Sequence, residues 1–202
     1  VCEGKTEIGL LRGIDKYWQS KGKRGIWSYG VVAVHGGGDS SFEMAKRFHK
    51  LKYQVAWWGD SDLQTTDVKK NELRGLGITV IDWADSANLE DRLFADIPWQ
   101  GVKELVEHAI DLHGEQSIGD QVKGMDANIS SIITGWSDSP AIRKAIGKAA
   151  HKKEWYKDIT RSEVVGDIVS RYLSDITNTD LSKKISLIRK WVETDDHCEA
   201  SS

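Results

Sequence analysis

Val55-Ala56-Trp57-Trp58-Gly59-Asp60-Ser61-Asp62 decides how this chain is read. A continuous apolar run closed by glycine and acids is the pattern of a buried parallel strand ending in a turn. The pattern recurs. Tyr29-Gly30-Val31-Val32-Ala33-Val34 precedes His35-Gly36-Gly37-Gly38-Asp39-Ser40, and Ile78-Thr79-Val80-Ile81-Asp82-Trp83 follows a glycine at 77. Val1-Cys2 reads as the last residues of a further strand. Between the strands lie helical stretches. Ile8, Leu11, Ile14 and Trp18 mark one helical face, and Phe42, Ala45, Phe48 and Leu51 mark another. A polar helix is expected from Asp67 to Leu76. Strands separated by helices imply parallel βαβ units with right-handed crossovers.

After residue 84 the pattern is helical. The spacing predicts helices over 89–95, 99–112, 140–152, 161–175 and 181–192, with Pro98 just ahead of the second. The glycine- and serine-rich stretch 114–137 carries no clear element. The expected fold is α/β: a parallel β-sheet flanked by helices over 1–95, a helical C-terminal portion over 96–194 packed on it, and a flexible polar tail over 195–202. The opening on Val1-Cys2 leads us to expect a fragment cut just inside or before a first strand.

Composition narrows the class. The chain has 202 residues, 39% hydrophobic and 29% charged, which excludes a disordered polymer and leaves room for a sizeable core. No apolar run approaches the roughly 20 residues of a spanning helix, so no membrane partner is expected. The net charge of −3 argues against a polycationic nucleic-acid coat, but not against nucleic-acid chemistry, because metal-holding acids subtract from the total. The two cysteines, Cys2 and Cys198, make no disulfide framework and no zinc site, which suits a reducing cytoplasm.

The acids at strand ends carry the chemistry. In an open parallel sheet, ligands bind at the carboxyl ends of the strands. Glu3 follows one strand, Asp60 and Asp62 follow another, and Glu7 lies one helical turn beyond Glu3 on the same face. Clustered carboxylates repel unless a cation joins them, and hard oxygen donors favour Mg²⁺, Mn²⁺ or Ca²⁺. The bland reading leaves Asp60 and Asp62 as ordinary loop acids. Their pairing with Glu3-Gly4 at a second strand end is the stronger signal.

Cys2-Glu3-Gly4-Lys5-Thr6-Glu7, with Gly59-Asp60-Ser61-Asp62 behind a later apolar strand, resembles a Toprim domain. That is the metal-binding module of topoisomerases, bacterial primases and some nucleases. With the Val34-His35-Gly36-Gly37-Gly38 turn, the pattern is similar to the OLD family of ATP-dependent endonucleases. The likeness is dense over 1–95 and thin beyond. It implies a Toprim-like sheet and metal-dependent DNA cleavage, as nicks or double-strand cuts, by two-metal hydrolysis. One ion would activate water and the other would steady the leaving oxygen. Glu3, Glu7, Asp60 and Asp62 would hold the metal, most simply Mg²⁺ or Mn²⁺. An ATPase domain would lie N-terminal to this fragment, and the full-length protein could be a homodimer.

The resemblance also implies a later carboxylate and a lysine beyond the sheet. Glu90, in Asn88-Leu89-Glu90-Asp91, is the candidate for the first, against a plain surface helix acid. Lys157, in Trp155-Tyr156-Lys157, is the candidate for the second, with Lys148 and Lys153 as rivals and a solvated basic face as the bland reading. Such a lysine would neutralise charge that builds on phosphate in the transition state.

Several other signals stay open. Gly36-Gly37-Gly38 either admits a nucleic-acid backbone or makes a tight turn. Of nine tryptophans, Trp57, Trp58 and Trp83 read as core, and Trp155 is the best base-stacking candidate. The six histidines show no ligand spacing. Gly4-Lys5-Thr6 looks like the end of a P-loop, although Glu3 is an awkward neighbour for phosphate. Two other classes remain: a Toprim strand-transfer module, which needs a tyrosine nucleophile, and a receiver-type phosphoacceptor domain.

Overall fold

The computed structural model describes residues 1–61 and 66–194. Among these the chain forms two regular strands and nine α-helices. Strand β1 (Ala56–Gly59) pairs in parallel with β2 (Thr79–Asp82), Trp58 standing opposite Ile81. The sheet extends on its other side by single bridges. Cys2 pairs in parallel with both Trp58 and His35. Its amide donates to Val34 O at 2.9 Å, and the Glu3 amide donates to Trp58 O at 2.8 Å. The resulting order across the layer is 34–36, 1–3, β1, β2, all running the same way.

Both faces of this layer are covered, which is why two tryptophans can stand side by side in β1. Successive strand residues point to opposite faces. Trp57 enters a small core with Phe42, Ala45, Leu73 and Ile78, beneath α2 (Ser41–Lys50) and α3 (Thr66–Gly75). Its ring stacks on Phe42 at 4.6 Å, and its indole N–H donates to Ser41 Oγ at 2.9 Å. Trp58 enters the main core, edge-on to Trp83 at 6.0 Å. The core expectation for Trp57, Trp58 and Trp83 holds.

Helix α1 (Lys5–Ser20) lies on the main-core side, and its partner there is α8 (Ile159–Tyr172). The two approach so closely that only glycine fits between them. A Cβ on Gly9 would stand 2.4 Å from Ile159 O, one on Gly13 2.2 Å from Glu163 O, and one on Gly166 2.2 Å from Leu10 O. The contacts advance along both helices together, so α1 and α8 run in the same direction. The Lys16–Glu163 ion pair spans the same seam. Helices α4 (Leu89–Asp96), α5 (Trp99–His113), α6 (Glu115–Lys123), α7 (Pro140–Lys152) and α9 (Asp180–Glu193) complete the molecule. The main core runs without a break from Cys2 to Val192.

Three expectations need correction. The run 29–34 is not a regular strand. Ile26–Tyr29 form a 3-10 turn, Gly30 takes φ 74°, and the chain then meets the sheet at the Cys2–His35 bridge. The apolar side chains of 31–34 instead wall a cleft of about 400 Å³ with Phe48, Tyr53 and Trp191, and Val32 is 73% exposed. Stretch 114–137 does contain a helix, α6. Trp155 is fully buried, with its indole N–H donating to Gln121 Oε1 at 2.6 Å, so it is a core residue and not a stacking platform. No helix among the described residues is long and apolar enough to cross a membrane.

The helix seam makes a prediction. Gly13→Val pushes side-chain carbons into the α8 backbone, and overpacking of this kind typically costs 1–3 kcal/mol and sometimes more. Gly75→Ala meets open space at the end of α3 and should leave stability unchanged or raise it by up to about 1 kcal/mol. Urea midpoints of the two variants should therefore move in opposite directions or differ by at least the first amount. Equal midpoints would show that the seam yields.

Candidate active site

The carboxyl ends of the strands gather the acids of the first half. Glu3 leaves the central strand segment and Asp60 leaves β1 beside it. Glu3 Oε2 accepts the Asp60 amide at 2.9 Å, so the first acid clamps the turn that carries the second. Gly59 is needed here, because a Cβ on it would lie 2.3 Å from Glu3 Oε2. Asp60 Oδ1 in turn accepts the Leu89 amide at 2.9 Å, tying this turn to the first residue of α4. Glu7 reaches back one turn of α1 to accept the Gly4 amide at 2.9 Å, the reach-back half of a capping box. Each acid is thus aimed by a backbone N–H through one oxygen.

The Gly36-Gly37-Gly38 stretch is a tight turn against this end. Gly37 and Gly38 take φ of 76° and 65°, and the Gly38 amide donates to Glu3 O at 2.9 Å. Gly36 is pressed on Ser41 and on the Cys2 carbonyl. The turn has a structural cause, with no need for a ligand.

Electrostatics bind Glu90 to the group. Burial pushes the Glu7 carboxyl up to about 7, and the charges of Glu90 and Glu3 add to the effect. Burial, with the charge of Glu90 behind it, also raises the Tyr156 phenol well above its usual range. Glu90 sits in the first turn of α4, 12% exposed, with His151 Nδ1 at 3.3 Å from its Oε2. His151 is in the last turn of α7. Inspection of histidine spacing along the chain could not find it, because its partner is 61 residues away.

Asp62 lies outside the described residues. Glu3, Glu7, Asp60 and Glu90 come to one end of the sheet, although no three metal-binding side chains among the described residues stand close enough for a coordination shell. The donors are all carboxylate oxygens, the chemistry that suits a hard divalent ion. Cys2 adds no soft donor: burial pushes its thiol up to about 12.

Lys157 comes from the second half. Trp155 and Tyr156 before it are fully buried, and the Tyr156 hydroxyl donates to Leu105 O at 2.7 Å. Lys157 immediately precedes Asp158, the N-cap of α8. Because α8 runs alongside α1 in the same direction, the start of α8 stands at the end of the sheet where α1 starts. The Lys157 ammonium itself is on Glu154 Oε1 at 2.5 Å, in an exposed pair. Lys148 and Lys153 are also exposed.

Comparison of the chain with protein-family models, with curated proteins and with solved structures finds no match.

Glu7 gives the metal-free protein a pH signature. Its carboxyl titrates near 4.5 in the unfolded chain and near 7 in the folded one, so the folded state binds the proton more tightly. That stabilisation is complete below pH 4.5 and is lost as pH rises through 7. The loss is on the order of 3 kcal/mol. Glu7→Gln keeps an oxygen for the Gly4 amide but cannot ionise. Denaturation at several pH values should therefore show a slope between pH 4.5 and 7 in the wild type that is flattened in Glu7→Gln. An identical slope in both would assign it elsewhere.

Proposed function

We propose that this chain is the nuclease part of a Toprim-type, OLD-like ATP-dependent endonuclease, cutting DNA phosphodiester bonds with divalent metal. The observation that carries the reading is the Glu3–Asp60 clamp, in which acids from two neighbouring parallel strand ends meet, with Glu7 and Glu90 in electrostatic reach. Acids brought together at the carboxyl ends of a parallel sheet match the ligand position of open α/β folds. The raised Glu7 carboxyl supports it, since an acid buried and set beside two other acids is the kind of group found at working sites.

Glu3, Glu7, Asp60, Asp62 and Glu90 would hold Mg²⁺ or Mn²⁺, with Ca²⁺ able to substitute, and such ions supply an activated water and charge stabilisation at phosphate. The chain's own residues do the remaining work. The backbone amides of Asp60, Leu89 and Gly4 fix the carboxylates before substrate arrives, so little reorganisation is left for the reaction. Glu7, buried at the start of α1, would turn its carboxylate to the ion from beside Glu3 and Glu90. His151 holds the Glu90 carboxylate in place. Lys157, released from Glu154, would meet the non-bridging oxygens of the scissile phosphate, where negative charge grows in the transition state.

The test is supercoiled plasmid incubated with Mg²⁺, Mn²⁺ or Ca²⁺, resolved into relaxed and linear products. Chelator should stop the reaction and added Mn²⁺ or Mg²⁺ should restore it. Undiminished cutting in excess chelator removes the metal mechanism. Asp60→Asn keeps an oxygen for the Leu89 amide and should fold normally while losing most activity. Lys157→Ala should lower turnover on the order of 100-fold while leaving metal affinity nearly unchanged. Full activity in either variant takes that residue out of the site.

A further inference from the structure

A cleft of about 650 Å³ lies between α4 and α7, next to the acids but distinct from them. The two helices run antiparallel. Gly147 packs on Asp91 and on the Glu90 carbonyl, whereas Arg143, one turn earlier, reaches the carbonyls of Phe94 and Ile97 at 2.9 and 2.8 Å. One end of the cleft therefore opens at Asn88 and His151, beside Glu90 and the Asp60–Leu89 contact. The other end lies by Arg143 and Ala95.

The walls of the cleft are held by its arginines. Arg92 donates to the Ala84 carbonyl at 2.7 Å and pairs with Asp85, and Arg143 pairs with Asp138. Its rim carries a different kind of cation. Lys144, Lys148 and Lys152 recur every four residues on α7, all exposed, and none has a carboxylate partner among the described residues. At about 1.5 Å per residue, neighbours in this row are about 6 Å apart along the helix axis. Among the described residues, the carboxylates in the lining are Asp85, which Arg92 neutralises, and Asp91. The lining is thus net positive in a chain whose net charge is −3. Asp85 and Ser86, at the end nearest the acids, take φ of 57° and 53°. Two consecutive non-glycine residues in the left-handed region are strained, and such strain gathers at working sites.

A single anion wants converging donors. A row of separated ammonium groups leading away from a cleavage site suits an anion that repeats along a line. Among the described residues no Phe, Tyr or Trp lines the cleft, so it offers no broad platform for base stacking. We infer that the α4–α7 cleft is the track for the phosphodiester backbone of the substrate strand, gripped by Lys144, Lys148 and Lys152 without regard to base sequence. This inference rests on the nuclease reading above and adds where the strand lies.

The experiment measures binding of a fluorescein-labelled single-stranded DNA oligonucleotide by anisotropy, in chelator so that no cutting occurs, over a series of salt concentrations. A triple variant, Lys144→Ala with Lys148→Ala and Lys152→Ala, is compared with wild type and with a control triple, Lys123→Ala with Lys183→Ala and Lys190→Ala. Each phosphate contact contributes about 0.7 to the slope of log affinity against log salt for a single strand. The cleft variant should lose about 2 of that slope and bind on the order of 100-fold more weakly at about 0.1 M salt, while the control stays at wild type. Lys148→Gln alone should lose about 0.7 and serves if the triple variant misfolds by circular dichroism. Wild-type affinity and slope in the cleft variants, equal losses in the control, or no binding by wild type each overturn the track. Plasmid cutting with Mn²⁺ is run in parallel. A protein that never cuts but shows the lysine-dependent slope keeps the track and loses the nuclease reading. One that cuts with the cleft variants binding as wild type keeps the nuclease reading and loses the track.

Discussion

The close approach of α1 and α8 is the constraint on which the rest of the arrangement depends. Gly9, Gly13 and Gly166 let two backbones meet at distances that no side chain would survive. Dispersion between atoms at contact is small per pair and large in sum, and a seam without intervening side chains maximises the number of pairs. Its consequence is positional. Helix α1 is fixed to the sheet by the strand that precedes it, and α8, fixed to α1, brings the start of the C-terminal half to the same end. Without this seam, Ile159 and Ser162 at the start of α8 would have no reason to stand against Gly9, 150 and more positions earlier.

At that end, the energetic difficulty is crowding of like charge away from water. Burial alone disfavours an ionised Glu7, and Glu90 and Glu3 make it worse. The fold offsets this with backbone dipoles. The amides of Gly4, Asp60 and Leu89 each donate to one acid. Hydrogen bonds to charged groups are stronger than those between neutral ones. These same bonds join the three turns at the ends of the layer, so the acids also help hold the loops they occupy. Each acid therefore has two separable parts: the oxygen, which the loop needs, and the charge, which the proposed metal chemistry would use.

Much of this was readable from the residues. Strand-ending patterns at Trp58 and Trp83 locate β1 and β2, because a buried parallel strand needs apolar groups on both faces. Helix α7 spans the 140–152 that the spacing predicts, and its start is fixed by Ser139 Oγ, which accepts the Ile142 amide at 3.3 Å. The failure at 29–34 has a physical cause: a run of valines reports apolar surroundings, and a cleft wall supplies them as well as a sheet does. Trp155 misled for a related reason. A tryptophan near lysines looks like a stacking platform until Gln121 supplies the buried partner its N–H requires. His151 was invisible because its partner lies on another helix, and the same holds for the glycine seam, which needs α8 before Gly9 and Gly13 acquire a reason.

Charge is segregated by chain half around the site. The acids come from strand ends and from the first turns of α1 and α4, where helix dipoles favour anions. The cations come from a row along α7 that ends at Lys152 in its last turn, where the dipole favours them, and from the turn that leads into α8. Opposite charges that stayed paired with one another would leave little for a ligand. Here Glu3, Glu7 and Asp60 each accept a backbone amide, Glu90 meets His151, and Lys157 meets Glu154, whereas Lys144, Lys148 and Lys152 have no carboxylate of their own among the described residues. Among the described residues, the α7 lysine row is the part of this charge not committed to an ion pair. A row of uncommitted ammonium groups beside a cluster of amide-held acids is the arrangement on which the proposed grip on a repeating anion rests.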